Sequence, residues 1–292
     1  MRVFVTGSTG YVGSAVVRAL VAAGHEVGGL VRSVEKEAAV RKAGAVPVFG
    51  NLHDPETYQH FAAESQAVVH CAFEDAETDG LAAEELAGAL QAEGGEKTLV
   101  YTSGVWVLGA SPAAADESAP TDHPFAMVAW RPAVERFVLS RGNHGLACAV
   151  VRPGLVYGRT GGLFAGWFRS AAAGEGVRYV GEGQNRFPPV HVDDLAQLYR
   201  LIVERRARGL FHGVDGSAPT MAEAARRVSE AGGSKGRTSS WPLAQARQRL
   251  GALADALALD QVVVTRRAAE LGWKPRRPFV ESAAEAAREL DA

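Results

Sequence analysis

Residues 2–13 read RVFVTGSTGYVG. A short apolar run of strand character, RVFVT, passes directly into a turn carrying Gly7, Gly10 and Gly13, and helical spacing follows. Strand, glycine turn and helix in that order form a cradle for phosphate. The glycines let the backbone approach a pyrophosphate closely, while the helix start supplies free N–H groups and a partial positive charge. The stretch predicts a dinucleotide held by Gly7, Thr9, Gly10, Tyr11, Val12 and Gly13.

Working outward, strand-like runs recur at 2–6, 26–31, 45–49, 67–72, 97–103 and 147–153, with helical patterns between them. Continuous apolar strands joined by crossover helices predict an α/β fold, a Rossmann-type doubly wound parallel sheet covered on both faces. After about residue 155 the chain turns rich in glycine and aromatics and reads as irregular structure plus a short helix. A strand–helix unit returns at FPPVHVDDLAQLYRLIVERRA, where Asp193 or Asp194 is the expected N-cap. The tail, 219–292, reads as two or three helices. The expected division is a nucleotide-binding core at 1–154 and a small, mostly helical substrate lobe at 155–292, with 187–215 returning to the core sheet.

The chain has 292 residues, 47% of them hydrophobic and 22% charged, with a net charge of −2. That composition gives no support for a nucleic-acid or membrane partner. No apolar run reaches the ~18 residues that span a bilayer. The N-terminus enters a strand at once, so the expected location is cytoplasmic. Cys71 and Cys148 lie in apolar runs and read as buried thiols, and no metal site is expected. Oligomeric state is left open.

The end of the second strand selects the dinucleotide. An acidic residue about twenty positions beyond the glycines would bind a ribose hydroxyl, whereas an arginine accommodates a 2′-phosphate. Arg32 stands there, followed by Ser33, and no acid appears before Glu35. A guanidinium beside a hydroxyl suits phosphate, so the expected cofactor is NADPH/NADP⁺.

TGSTGYVG (6–13), GNLHD (50–54), HCAF (70–73), TSGVWVLG (102–109), VRPGLVYG (151–158), PVHVDDLA (189–196) and AELGWKP (269–275) occur in one order along nearly the whole chain. Together they resemble the extended short-chain dehydrogenase/reductase superfamily of epimerases, dehydratases and reductases. The resemblance implies that Asn51 and Leu52 lie near the adenine, that Ala72, Phe73 and Thr102 line the cofactor, and that Pro153, Leu155 and Val156 pass the nicotinamide.

Redox members of that superfamily carry a Ser/Thr followed by Tyr-x-x-x-Lys. In FAMVAWRPAVERF (125–137), read as one helix, Glu135 fits the acid that usually follows the lysine. The same registration sets Arg131 at the lysine position and Met127 at the tyrosine position, and Gly104 falls where many members have the catalytic hydroxyl, beside Ser103. Methionine cannot donate a proton, and arginine carries an effectively fixed charge. His70, in a strand core, and His191, at a helix start, read as structural. Ser103, Met127 and Arg131 are therefore the catalytic-position residues of an atypical member, with Arg131 also placed to hold the cofactor.

The proton then comes from Ser103 through water, from a histidine or from the substrate. A ketone beside a phenol on a fused ring carries its own acid, with an intrinsic pKa near ~10. The aromatic residues Trp106, Trp130, Phe164, Trp167 and Phe187 could stack on such a ligand or form ordinary lobe core. The set resembles angucyclinone-type polyketide ketoreductases, which implies an aromatic polyketide substrate and antibiotic biosynthesis. A non-catalytic NADP(H)-binding regulator and a nucleotide-sugar epimerase or dehydratase are the alternatives.

Overall fold

The computed structural model describes residues 1–159 and 161–288. Seven strands form the central sheet: β1 (Arg2–Thr6), β2 (Glu26–Val31), β3 (Val46–Phe49), β4 (Ala67–His70), β5 (Lys97–Thr102), β6 (Leu146–Pro153) and β7 (Gly209–Gly213). Their spatial order is β7-β6-β5-β4-β1-β2-β3, and every pairing is parallel. The chain runs outward from β1 through β2 to β3, then crosses back to β4 on the other side of β1. That reversal opens a crevice beyond the carboxyl ends of β1 and β4, where sheets of this kind receive ligands.

The helices are α1 (Tyr11–Ala22), α2 (Val34–Lys42), α3 (Gln59–Glu64), α4 (Ala76–Glu93), α5 (Arg131–Ser140), α6 (Ala165–Ala172), α7 (Val192–Arg205) and α8 (Met221–Ala231). Alternation along β1 explains the layering. Val3 and Val5 point to the face covered by α1 and α7, among Val16, Leu20, Leu195 and Ile202. Phe4 points to the opposite face, with Leu86 and Leu90 of α4 and Val138 of α5. All three β1 residues are no more than 1% exposed, so one apolar run feeds two cores.

Two local expectations change. The stretch 125–137 is not one helix: a short 3₁₀ turn spans Ala126–Val128, and α5 begins at Arg131. Pro132 is the reason, because it has no N–H to bond back to the preceding turn and its ring is tolerated only in the first turn of a helix. At α7 the cap is His191, whose Nδ1 accepts from the N–H of Asp193 at 3.2 Å, while both aspartates sit in the first turn. Among the described residues the tail beyond 219 holds five helical segments, of which α8, Leu243–Leu250 and Phe279–Arg288 have eight residues or more, with shorter ones at Ala252–Leu257 and Arg267–Glu270. It also supplies two strands, Thr238–Trp241 and Gln261–Val263, which pair in parallel with Val177–Val180 and Ser111–Ala115. No helix among the described residues is long and apolar enough to cross a membrane.

Candidate active site

The glycine turn is tied to β4 by its geometry. Gly7 has φ of 65°, and a Cβ there would stand 2.7 Å from the N of Ala72. A Cβ on Gly13 would stand 2.1 Å from the carbonyl oxygen of Gly7, so α1 packs on the turn only without a side chain at that position. Gly10 begins α1 with no side-chain cap, which leaves the first-turn N–H groups for a ligand.

Beside this turn lies a cleft of about 390 Å³ whose lining includes Gly7, Thr9, Gly10, Arg32, Asn51, Leu52, Ala72 and Phe73. An open cradle bounded by uncapped N–H groups and a cation fits a dinucleotide. Lys36 and Glu74 also line it, and neither was singled out from the sequence. Arg32 is ion-paired through Nη1 with Glu74, whose other oxygen meets His53 Nε2 at 2.9 Å. Ser33 lies at the start of α2 outside the cleft lining, where its hydroxyl helps hold the carboxyl of Glu35 below the usual range.

Phe73 also lines a second space, a chamber of about 500 Å³. Here Tyr11 and Val12 of α1 meet Thr102 and Ser103 after β5, Met127, Trp130 and Arg131 before and in α5, Trp106, and Pro153, Leu155 and Val156. Residues from six separate parts of the chain thus converge on one chamber. Gly104, Val105, Val128, Gly154, Gly162 and Leu163 complete the wall; they are neighbours of the motif residues and carry no distinctive chemistry of their own.

Most polar groups in the chamber are already engaged. Arg131 Nη1 donates to the Thr102 carbonyl at 2.7 Å, and its guanidinium lies 5.1 Å from the Phe73 ring centroid and 4.7 Å from that of Trp130. Those two rings stack on each other at 5.6 Å. The Thr102 hydroxyl accepts from Tyr199 at 2.8 Å and donates to Cys71 Sγ at 3.4 Å. Burial raises the Tyr199 phenol well above its ordinary value and pushes the Cys71 thiol up to about 12, so both stay protonated at neutral pH. The Tyr11 hydroxyl donates to the Gly158 carbonyl at 2.7 Å. Ser103 differs: it is only 8% exposed, and its Oγ has no hydrogen-bond partner among the described residues.

His70 lies outside the chamber, in a buried chain beneath the turn. Thr6 Oγ1 accepts from the Ala72 N–H and meets His70 Nδ1 at 2.7 Å, and His70 Nε2 lies 3.4 Å from an Asp79 oxygen. Tyr101 donates to the other Asp79 oxygen at 2.5 Å.

The expected substrate aromatics separate into three groups. Trp106 and Trp130 line the chamber, and Trp167 lines a neighbouring cavity. Phe164, which forms part of that cavity's floor, and Phe187 are each 1% exposed. Their rings lie 5.1 Å apart and both meet Phe279, at 5.1 and 5.5 Å. Phe187 is a correction, since it packs in the lobe core and lines neither cavity. Among the described residues no group of three or more His, Cys, Asp or Glu side chains is placed to hold a metal ion.

The chain is 32% identical to an uncharacterized protein of Schizosaccharomyces pombe, over 94% of this chain and 95% of the other. It is also 32% identical to the 4-hydroxy-2-methyl-3-oxo-4-farnesyl-3,4-dihydroquinoline-1-oxide ketoreductase of Stigmatella aurantiaca, over 75% of this chain and 69% of that one. Human epimerase family protein SDR39U1, solved with NADPH, superposes with a TM-score of 0.83 at 25% identity, covering 99% of this chain and 100% of that one. The sequence profile of the NAD dependent epimerase/dehydratase family matches residues 3–212, a span that holds the glycine turn and every residue lining the cleft and the chamber, and the chain belongs to that family.

Proposed function

We propose that the protein is an NADPH-dependent ketoreductase acting on a flat, apolar ketone of the aromatic polyketide class, with the proton supplied by a phenol on the substrate. One observation carries the reading. Among the described residues lining the chamber, the ionisable side chains are Tyr11 and Arg131 alone. The Tyr11 proton is directed at Gly158, and the Arg131 charge is fixed. A polarised carbonyl can be held there, but the chamber offers no acid of its own.

Each residue then has a role. Arg32 and Lys36 receive the 2′-phosphate, and Gly7, Thr9 and Gly10 face the pyrophosphate. Reduced nicotinamide, when bound, supplies the hydride. Pro153, Leu155 and Val156 support its ring, and Phe73, Trp106 and Trp130 hold the flat substrate against it. Ser103 Oγ, buried and unpartnered, donates to the carbonyl oxygen, and Met127 shapes the pocket. With the carbonyl so reduced, the neighbouring phenol would pass its proton to the new alkoxide, and the resulting phenolate would regain a proton from solvent.

The magnitudes allow this. A positioned acid contributes ~10²–10⁴ in rate, while orientation contributes roughly 7–11 kcal/mol. Reductase-named relatives support redox chemistry, and the NADPH-bound human structure supports the cofactor. The same scarcity of ionisable groups weighs against nucleotide-sugar epimerisation, which needs a base.

The test is NADPH oxidation with hydroxy-aryl ketones and their methyl ethers. Methylation of the phenol is expected to lower kcat by ~10²–10⁴. Undiminished turnover of the ether would overturn the substrate-proton route. Tight NADPH binding with no ketone reduced would point to the non-catalytic regulator.

A further inference from the structure

The neighbouring cavity that Trp167 lines has a volume of about 480 Å³ and lies within the size range of small-ligand sites, ~300–1,000 Å³. It is bounded by α6, strand Val177–Val180 and the helices Leu243–Leu250 and Ala252–Leu257. Leu163 belongs to the walls of both this cavity and the chamber. The two spaces are therefore adjacent across a single side chain, five residues beyond Gly158, whose carbonyl accepts from Tyr11.

We propose that this cavity takes an alkyl or prenyl chain of the ketone substrate, whose carbonyl-bearing head occupies the chamber. The proposal rests on the reductase reading and names the part of the substrate that reading leaves undefined. Three features carry it. The floor is apolar and deeply buried, with Phe164 at 1%, Val177 at 1% and Met221 at 2% exposure. Leu250, Leu253 and Leu257 form the opposite wall. The polar side chains of the lining, Ser170, Glu175, Arg178 and Ser239, sit at partly or fully exposed positions, and the Arg178 guanidinium lies 5.6 Å from the centroid of Trp241. A phosphorylated or sugar-like group would find few partners on that floor, whereas a hydrocarbon chain needs none. The floor is also rigid, because Phe164 packs edge-on against Trp167 at 4.9 Å and is backed by Phe187 and Phe279. The misassigned Phe187 thus props the cavity open from behind.

The experiment is a series of ketones with one head group and n-alkyl chains of increasing length. Both turnover and calorimetric affinity for the NADPH-loaded enzyme are measured. Each added methylene is expected to raise kcat/KM and affinity about fourfold, equivalent to ~0.8 kcal/mol. The rise stops when the cavity is full, and kcat stays nearly level, as for binding shared by ground and transition states. Leu253→Gln is expected to flatten the length dependence, and its NADPH affinity verifies that the variant folds. Length-independent affinity in the wild-type enzyme overturns the chain-binding proposal, even if short ketones are reduced. Length-dependent affinity with no reduction of any member supports the cavity and overturns the reductase reading instead.

Discussion

Arg32 shows how a charge can be visible in a sequence while its setting is not. Its position after β2 follows from counting along the chain, but Glu74 reaches it from the far side of the cleft. The pair is largely solvent-exposed on the arginine side, at 68%, so the attraction is weak enough for a phosphate to compete. Arg32→Ala is expected to raise the KM for NADPH about tenfold to a hundredfold, matching ~1.5–3 kcal/mol for a charged hydrogen bond, and to leave the KM for NADH nearly unchanged. Steady-state kinetics with both cofactors checks this, and equal losses for the two would remove Arg32 from the phosphate site. The glycines were legible because they serve a local turn, whereas Asn51, Ala72 and Pro153 could be singled out only through the resemblance their motifs carry. Lys36 and Glu74 were not, since only the packed cleft brings them beside Arg32. Phe187 misled for the opposite reason: an aromatic residue reads the same whether its ring meets a ligand or another ring.

At the level of elements, α5 is fastened to the sheet by a buried ion pair. Arg152 on β6 donates through Nε and Nη2 to the two oxygens of Glu135, at 2.9 and 2.6 Å, with both side chains 4% exposed. The pair fixes the rotation of the helix whose first residue, Arg131, enters the chamber. Glu135→Ala leaves a guanidinium buried without its anion and is expected to destabilise the fold by ~3–5 kcal/mol, read from urea unfolding. A loss below about 1 kcal/mol, typical of exposed pairs, would show that the bridge is not sequestered. The core strands were legible from their continuous apolar runs. The lobe strands were not, because Val177–Val180 and Thr238–Trp241 are short and acquire regular structure only by pairing across a long stretch of chain.

For the molecule as a whole, the edge of the sheet makes stability depend on pH. Burial holds the His212 imidazole on β7 below its ordinary value of 6.5, with Nδ1 donating to the Val264 carbonyl at 3.0 Å. Burial would raise the Glu117 carboxyl, but N–H donors from Arg266, Glu117 itself and His212, with the His212 charge, bring it net below its ordinary value. Both folded-state values are depressed, so the unfolded chain binds more protons and stability falls as pH drops, beginning near 6.5 for His212. Thermal melts are expected to show Tm declining from about pH 7 to about pH 5. His212→Gln should flatten the upper part of that decline, and an unaltered slope would exclude the histidine. At this same scale the stacked pair of Phe73 and Trp130 acquires an optical meaning. Phe73 borders both cleft and chamber, so the indole beside it is a fluorophore seated on the boundary between them. It is one of five tryptophans, so the part of the emission lost in Trp130→Phe is the part that reports on that boundary.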